Sequence, residues 1–261
     1  MNRIKLVLLT LLTLFITACG SESPNTLKVG TIAGPETDLM MVAKQVAKQR
    51  YGLNVKIIQF NDYNIPNIAL NDGSLDANVY QHLPYLNAAM KAHGYQLKAI
   101  GKTFIYPMGI YSNKIKSLTD LQDRSIIAIP NDPSNEARAL LLLQAQGLIK
   151  VKDNANATPL DILENSKKLI FKEMDAAQLP RVLPDVTLAV INSNYALPAG
   201  LNPKQDALAL ESKDSPYANI IVVKKDTKKM KQLKELVKAL NSKPVEEKAQ
   251  ELFAGQAIPA W

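Results

Sequence analysis

Cysteine, histidine and tryptophan are scarce in this sequence, which has one, two and one of them in 261 residues. The single cysteine, Cys19, excludes an intramolecular disulfide and argues against a cysteine nucleophile. His82 and His93 are too few for a usual zinc site, although carboxylates could help to bind other metals. The patterns G-x-S-x-G, H-E-x-x-H and G-x-x-x-x-G-K-[ST] are also missing. We therefore expect no enzyme of these classes and no cofactor.

Long apolar runs are missing as well, except for one near the start of the chain. Leu6–Ile16 is apolar but too short to span a bilayer, and it follows the basic residues Arg3 and Lys5. The next residues, Ile16-Thr17-Ala18-Cys19, are similar to the lipobox of bacterial lipoproteins, in which the peptide is cut before the cysteine and the thiol is acylated. The alternative is a signal peptide followed by an unrelated free cysteine. We expect a lipid anchor at Cys19, so that the protein is attached to a membrane on its extracytoplasmic face.

Positive charge is in excess. The formal net charge is +7, and loss of Arg3 and Lys5 with the signal peptide would leave +5. Many lysines cluster near the C-terminus, at Lys224, Lys225, Lys228, Lys229, Lys231 and Lys234. A solvated helix face explains them most simply, and attraction to an anionic membrane surface is the alternative. We expect no nucleic-acid partner, because no reading motif is present.

Strand and helix patterns alternate along the chain. The first unit is a strand at Leu27–Thr31, a helix at Glu36–Tyr51 and a strand at Asn54–Phe60, which predicts a parallel sheet with a right-handed crossover. Two extended segments, Thr103–Ser112 and Ser215–Val223, are typical of crossings between lobes. The sequence therefore predicts an α/β protein with two lobes that close around a small molecule.

The second lobe contains a central strand–turn–helix. A β-branched strand at Arg124–Ile129 ends in a turn rich in Pro, Asn and Asp, and an apolar helix follows to about Gln146. Free backbone N–H groups at a helix start stabilise anions, and Arg138, predicted on the first turn, could bind a carboxylate bidentately. An ordinary capped helix with a solvated arginine is the alternative. Further along, a helix is predicted at Asp175–Leu183.

Several motifs, in a fixed order, carry a family resemblance. They are Leu27-Lys28-Val29-Gly30-Thr31, Asp76-Ala77-Asn78-Val79-Tyr80-Gln81-His82-Leu83-Pro84-Tyr85-Leu86, Tyr106-Pro107-Met108-Gly109-Ile110-Tyr111-Ser112, Ile129-Pro130-Asn131-Asp132-Pro133-Ser134-Asn135 with Arg138-Ala139-Leu140, Ile191-Asn192-Ser193-Asn194-Tyr195-Ala196, and Tyr217-Ala218-Asn219-Ile220. Together they resemble the NlpA family of methionine-binding lipoproteins, the substrate-binding subunits of methionine ABC importers. The chain departs from the family in having Ala137 where glycine is frequent.

The resemblance implies a type II periplasmic-binding-protein fold. The expected segments are a signal peptide over 1–18, a lipidated cysteine and tether over 19–26, lobe 1 over 27–105 and 221–261, and lobe 2 over 106–220.

The resemblance also implies roles for individual residues. It implies that Arg138 binds the ligand carboxylate and that Asn192 and Asn219 hydrogen-bond the α-amino-acid head group. The side-chain pocket would be lined by Tyr63, Tyr80 and His82. Without the resemblance, the tyrosines could be core residues, the histidine a helix cap and the asparagines turn residues.

The resemblance implies a monomeric protein of the cell envelope that delivers L-methionine or a close analogue to an ABC permease. It does not imply an enzyme. D-methionine, a methionine dipeptide or another small amino acid remains an alternative ligand. The alternative function is an exported hydrolase that uses His82.

Overall fold

The structure is a computed structural model, and it describes residues 25–152, 154, 156–212 and 214–261. The expected signal peptide and Cys19 lie outside the described residues. Within the described part of the chain, no helix combines the length and the apolar character needed to cross a bilayer.

The described residues contain thirteen strands and eight α-helices, together with short 3-10 turns and connecting segments. The strands are β1 (Thr26–Ile32), β2 (Asn54–Phe60), β3 (Ala77–His82), β4 (Leu97–Ile105), β5 (Gly109–Tyr111), β6 (Ile126–Pro130), β7 (Lys150–Val151), β8 (Ile162–Glu164), β9 (Ile170–Met174), β10 (Leu188–Ile191), β11 (Ala209–Leu210), β12 (Ala218–Lys224) and β13 (Ile258–Pro259). The helices are α1 (Pro35–Tyr51), α2 (Ile65–Asn71), α3 (Leu83–His93), α4 (Pro133–Ala145), α5 (Leu179–Val182), α6 (Ser193–Ala196), α7 (Met230–Leu240) and α8 (Lys243–Leu252).

Lobe 1 is built on a sheet with the strand order β13-β4-β12-β3-β1-β2. β1 runs parallel to β2 and β3, whereas β12 runs antiparallel to β3 and β4. β12 is a nearly continuous apolar run and is buried over all but its last residue, as expected of a central strand that is covered on both faces. The N-terminal strand and the late strand β12 thus belong to one lobe.

Lobe 2 is built on a second sheet with the order β11-β5-β10-β6-β9. The central strands β6 and β10 are parallel, and every residue of β10 is buried. β9 pairs in parallel at the edge of the sheet, and β7 and β8 form a separate hairpin. The two sheets confirm the predicted fold class of two α/β lobes.

The chain crosses between the sheets twice. The first crossing joins β4, which ends at Ile105, to β5, which begins at Gly109. The second joins β11, which ends at Leu210, to β12, which begins at Ala218. Ala218–Ile220, which the sequence analysis assigns to lobe 2, pairs with strands of lobe 1.

The helix α4 packs deeply against the sheet of lobe 2. Its residues from Ser134 to Leu140 are all buried, and Leu140 is fully buried, whereas its neighbour Leu141 is 39% exposed. An interior helix of this kind is held by packing rather than by its own helix propensity.

Replacing Leu140 by alanine should destabilise the protein by about 2–5 kcal/mol, because it removes buried methyl groups and leaves a cavity. The matched control is Leu141→Ala, which makes the same chemical change on the exposed face and should cost about 0.5 kcal/mol or less. Urea unfolding of both variants measures the difference. Equal losses of stability would show that α4 is not packed as described.

Candidate ligand-binding site

Side chains from both lobes meet where strands end and helices begin. β3 ends at His82, β6 at Pro130 and β10 at Ile191, and α3, α4 and α6 begin within three residues of these ends. The carboxyl edge of an open α/β sheet is where ligands bind, because helix starts present unpaired N–H groups there. In this protein the carboxyl edges of the two lobes face each other and share one cavity.

Arg138 lies on the buried face of α4. The helix begins at Pro133 and is capped by Asp132, whose carboxylate accepts a hydrogen bond from the N–H of Asn135 at 3.0 Å. Arg138 is therefore the sixth residue of the helix and lies on its second turn, so the predicted position on the first turn was wrong. Its side chain is only 4% exposed.

The guanidinium of Arg138 joins the two crossings. Its Nε donates to Oε1 of Glu211 at 2.9 Å, and Nη2 pairs with the other oxygen of that carboxylate. Nη2 also donates to the backbone oxygen of Tyr106 at 3.0 Å, and the ring of Tyr217 lies 4.5 Å from the guanidinium carbon. Tyr106 belongs to the first crossing, and Glu211 and Tyr217 belong to the second. Among the described residues no partner occupies Nη1, so its two N–H groups remain for a ligand.

Two carboxamides have their NH2 groups fixed by other residues, and the oxygen of one of them is buried and unpaired. Nδ2 of Asn192 donates to Oδ1 of Asn135 at 2.9 Å, and Oδ1 of Asn192 is buried with no hydrogen-bond partner among the described residues. Nδ2 of Asn219 donates to Glu36 at 2.6 Å and to the backbone oxygen of Tyr80 at 3.2 Å. Both carboxamides thus present an acceptor oxygen, and a buried acceptor without a partner is costly until a donor arrives.

His82 links lobe 1 to this network as a neutral side chain. Its Nδ1 accepts from the N–H of Tyr85 at 3.3 Å, so Nε2 carries the proton and donates to Oδ1 of Asn135 at 3.3 Å. Burial, and secondly the charge of Arg138, lower the pKa of His82 from 6.5 to about 3. The histidine caps α3, as the alternative interpretation expects, and it also lines the cavity.

Tyr63, Tyr80 and Tyr85 line the apolar side of the cavity, and Tyr195 packs against Tyr63. The ring of Tyr63 lies 5.8 Å from that of Tyr80, 6.0 Å from that of Tyr85 and 4.9 Å from that of Tyr195, measured between centroids. The hydroxyls of Tyr80 and Tyr85 both donate to the backbone oxygen of Tyr63, at 3.1 and 2.9 Å. Because their hydroxyl hydrogens are used internally, these rings offer a polarizable surface to a ligand.

Glu36 is a buried carboxyl at the start of α1, and it bridges the lobes. Its two oxygens accept from Nδ2 of Asn219 at 2.6 Å and from Nδ2 of Asn194, in lobe 2, at 3.0 Å. Burial raises the pKa of Glu36 from 4.5 to about 8, against the lowering effect of the two hydrogen bonds. The carboxyl therefore fixes the orientation of Asn219 and helps to hold the lobes together.

The cavity combines polar and apolar walls, as small-molecule sites do. One wall carries a cation and two acceptor oxygens, and the other carries tyrosines. Among the described residues no group of three or more His, Cys, Asp or Glu side chains could hold a metal ion.

All six residues predicted for ligand binding line this cavity; they are Arg138, Asn192, Asn219, Tyr63, Tyr80 and His82. Their individual roles remain predictions. The sequence analysis did not single out Glu36, Asn135, Asn194 or Glu211, which orient those side chains. Asn135 and Asn194 stand within the motifs that carry the family resemblance, whereas nothing in the sequence around Glu36 or Glu211 identifies their partners.

The buried carboxyl gives a prediction about pH. Because the pKa of Glu36 is higher in the folded protein than in the unfolded chain, the folded state holds an extra proton between pH 4.5 and about 8. This group should therefore lower stability by up to about 1.4 kcal/mol for each pH unit as pH rises through that interval. Glu36→Gln should remove this dependence, as measured by urea unfolding at several pH values.

The control is Glu247→Gln, which changes an exposed glutamate on α8. It should leave the pH dependence of the wild-type protein unchanged. An identical slope in the Glu36→Gln variant would contradict a raised pKa at Glu36.

Comparisons with known proteins point to the same family that the sequence motifs resemble. A family model described as NlpA lipoprotein matches residues 27–261. A relative from Salmonella typhi, named D-methionine-binding lipoprotein MetQ, is 49% identical over 95% of this chain and 94% of its own.

Two solved structures are also similar. A periplasmic substrate-binding protein of an ABC transporter from Coxiella burnetii is 59% identical, with a TM-score of 0.88 over 90% of this chain and 100% of its own. A nutrient-binding protein from Burkholderia cenocepacia, solved with bound methionine, is 54% identical, with a TM-score of 0.88 over 90% and 100% of the two chains. The match to the family model extends over nearly all of the described residues, and this chain therefore belongs to the NlpA lipoprotein family.

Proposed function

We propose that this protein is the lipid-anchored substrate-binding subunit of an ABC importer and that it captures methionine between its lobes. The observation that carries the proposal is the division of the cavity into two halves. One half has a guanidinium and two acceptor oxygens, which suit a zwitterion, and the other half has the rings of Tyr63, Tyr80 and Tyr85. The names of the relatives, which include a D-methionine-binding lipoprotein and a protein solved with methionine, support the same ligand class.

The carboxylate of the ligand binds at Arg138. Nε and Nη2 are already occupied by Glu211 and by the backbone oxygen of Tyr106, so the carboxylate is held by Nη1. The pairing with Glu211 keeps the guanidinium compensated in the empty protein, where an unpaired buried charge would be strongly destabilising. It also fixes the guanidinium plane before the ligand arrives, which lowers the ordering cost of binding.

The α-ammonium group of the ligand binds between the two carboxamide oxygens. Asn192 Oδ1 and Asn219 Oδ1 are acceptors whose NH2 groups are held by Asn135 and Glu36. Hydrogen bonds from a charged donor to such acceptors contribute about 1.5–3 kcal/mol each. Neutral acceptors suit this position because they compensate the ammonium without placing a second full charge in the cavity.

The thioether side chain lies against the tyrosines. Contacts between sulfur and aromatic rings contribute roughly 0.3–1.5 kcal/mol each, and Tyr63 and Tyr80 offer buried rings for them. The aromatic wall accepts either enantiomer in principle, so L-methionine, D-methionine and a methionine dipeptide are compared in the test below.

The lobes are closed over the cavity. His82 of lobe 1 contacts Asn135 of lobe 2, and Asn64 Nδ2 of lobe 1 contacts Asp175 of lobe 2 at 3.4 Å. The lobes are joined by only two short crossings, so they can open for exchange with a permease. Closure removes water from the cavity and strengthens its polar contacts.

The proposed anchor is an acylated Cys19, exposed after removal of a signal peptide over residues 1–18. It places the protein in the cell envelope, on the extracytoplasmic face of a membrane, where it acts as a monomer. The protein is not proposed to be an enzyme. Both ring nitrogens of His82 are engaged, and no described serine hydroxyl hydrogen-bonds to them.

Asn219→Ala should weaken methionine binding roughly tenfold to hundredfold, because one acceptor for the ammonium group is lost. Arg138→Ala should lose at least a few kcal/mol of binding free energy, since no other described residue that lines the cavity offers a cation to the carboxylate. Isothermal titration calorimetry with L-methionine, D-methionine and a methionine dipeptide measures both variants and identifies the preferred ligand.

The matched control is Arg181→Ala, which removes an exposed arginine at the rim of the cleft and should leave affinity within about twofold. Thermal unfolding without ligand reports whether each variant is folded. Failure of all three ligands to bind the wild-type protein, or normal affinity in the folded Arg138→Ala variant, would overturn the proposal.

A further inference from the structure

Many basic residues lie at the end of lobe 1 that is opposite the ligand cavity. β1 and β3 begin at this end and the antiparallel strand β12 finishes there, at Lys224. We call this surface the basic pole. Its members are Lys48, Arg50, Lys56, Lys98, Lys224, Lys225, Lys228 and Lys229.

Specific contacts hold these residues at the pole. Lys48 Nζ donates to Oδ1 of Asn54, the first residue of β2, at 2.9 Å. Lys98 Nζ donates to the backbone oxygen of Lys225 at 2.9 Å. Lys229 Nζ donates to the backbone oxygen of Thr26, the first residue of β1, at 3.1 Å. Segments distant in the sequence therefore contribute cations to one surface.

The cations of the pole outnumber the acids around them. The acidic residues on the same strands and turns are Asp72, Asp76 and Asp226, and Asp76 is ion-paired with Lys229 at 2.9 Å. By contrast, Lys48, Lys56, Lys225 and Lys228 are exposed. This leaves a net positive surface whose lysine amines reach solvent, where they can meet anionic groups.

The chain enters lobe 1 at the same pole. Thr26 is seven residues after Cys19, and a chain of that length spans at most about 25 Å when fully extended. If Cys19 is acylated, as the proposed function states, the pole cannot move farther than about this distance from the bilayer. Electrostatic attraction decays over about 8 Å at physiological ionic strength. A pole tethered this close to the bilayer therefore comes within the distance at which anionic headgroups attract it.

We propose that the basic pole is a docking surface for the anionic headgroups of the membrane that carries the lipid anchor. An acyl anchor fixes one point of the protein, whereas a second contact over a charged surface fixes its orientation. β1 runs from the pole to the cavity over seven residues, or about 23 Å. Docking at the pole therefore holds the ligand cavity clear of the lipid surface. The inference rests on the proposed anchor at Cys19.

The test uses the acylated full-length mature protein in two kinds of vesicle. One is phosphatidylcholine alone, and the other contains added phosphatidylglycerol. Lysine acetylation followed by mass spectrometry measures the accessibility of each amine. We expect modification of Lys48, Lys56 and Lys225 to slow several-fold only in vesicles with phosphatidylglycerol and to recover in high salt. Lys152 and Lys172 in lobe 2 serve as internal controls and should not change.

A pair of variants separates the pole from net charge. The first combines Lys224→Glu, Lys225→Glu and Lys228→Glu, and the control combines Lys152→Glu, Lys167→Glu and Lys172→Glu in lobe 2. Both change the net charge by the same amount. Only the first should abolish protection of Lys48 and Lys56, while thermal unfolding and methionine affinity report that both remain folded.

The outcomes separate the inference from its premise. If the protein floats with both kinds of vesicle but shows no protection that depends on phosphatidylglycerol, the docking surface is wrong and the anchor stands. Equal loss of protection in both triple variants would also overturn it, since net charge alone would then be responsible. If the protein floats with neither kind of vesicle, the anchor at Cys19 and this inference both fail.

Discussion

The buried pair of Arg138 and Glu211 is the contact on which the site depends. The pair lies between the two crossings. Arg138 also donates to the backbone oxygen of Tyr106 in the first crossing and lies against the ring of Tyr217 in the second. A cation so deeply buried would be strongly destabilising without its carboxylate partner. The pair therefore keeps the empty protein stable, fixes the plane of the guanidinium and places the proposed carboxylate position next to both crossings. A ligand bound there would lie beside the two segments that connect the lobes.

The remaining polar groups of the cavity are neutral, and other side chains set their orientation. Asn135 and Glu36 accept from the NH2 groups of Asn192 and Asn219, which leaves both carboxamide oxygens for the proposed ammonium group. Glu36 carries out this task from lobe 1 while it also contacts lobe 2. Each acceptor is thus oriented within its own lobe, Asn192 by Asn135 in lobe 2 and Asn219 by Glu36 in lobe 1. Closure of the lobes then brings the two acceptors together around the proposed zwitterion and excludes water.

The sequence predicts the fold class and the residues of the cavity better than it predicts their partners. β2 has the bounds expected from its pattern, because Gly52 ends the preceding helix and the apolar run is short. The helix predicted at Asp175–Leu183 is instead a 3-10 turn followed by the four-residue helix α5. Pro180 has no backbone N–H to donate, so a helix that begins at Asp175 is interrupted there. Glu36 and Glu211 could not be assigned, because their partners Asn219 and Arg138 are 183 and 73 residues away in the chain. Such contacts depend on how two sheets are brought together, which local patterns do not encode.

A crystal structure of this protein with bound methionine tests the central claim most directly. The account predicts the ligand carboxylate on Nη1 of Arg138, with Glu211 still paired to the same guanidinium, and the α-ammonium group between the oxygens of Asn192 and Asn219. It also predicts that the thioether contacts the ring of Tyr63. A ligand bound in the opposite direction, or one that displaces Glu211 from Arg138, would contradict this account of the site.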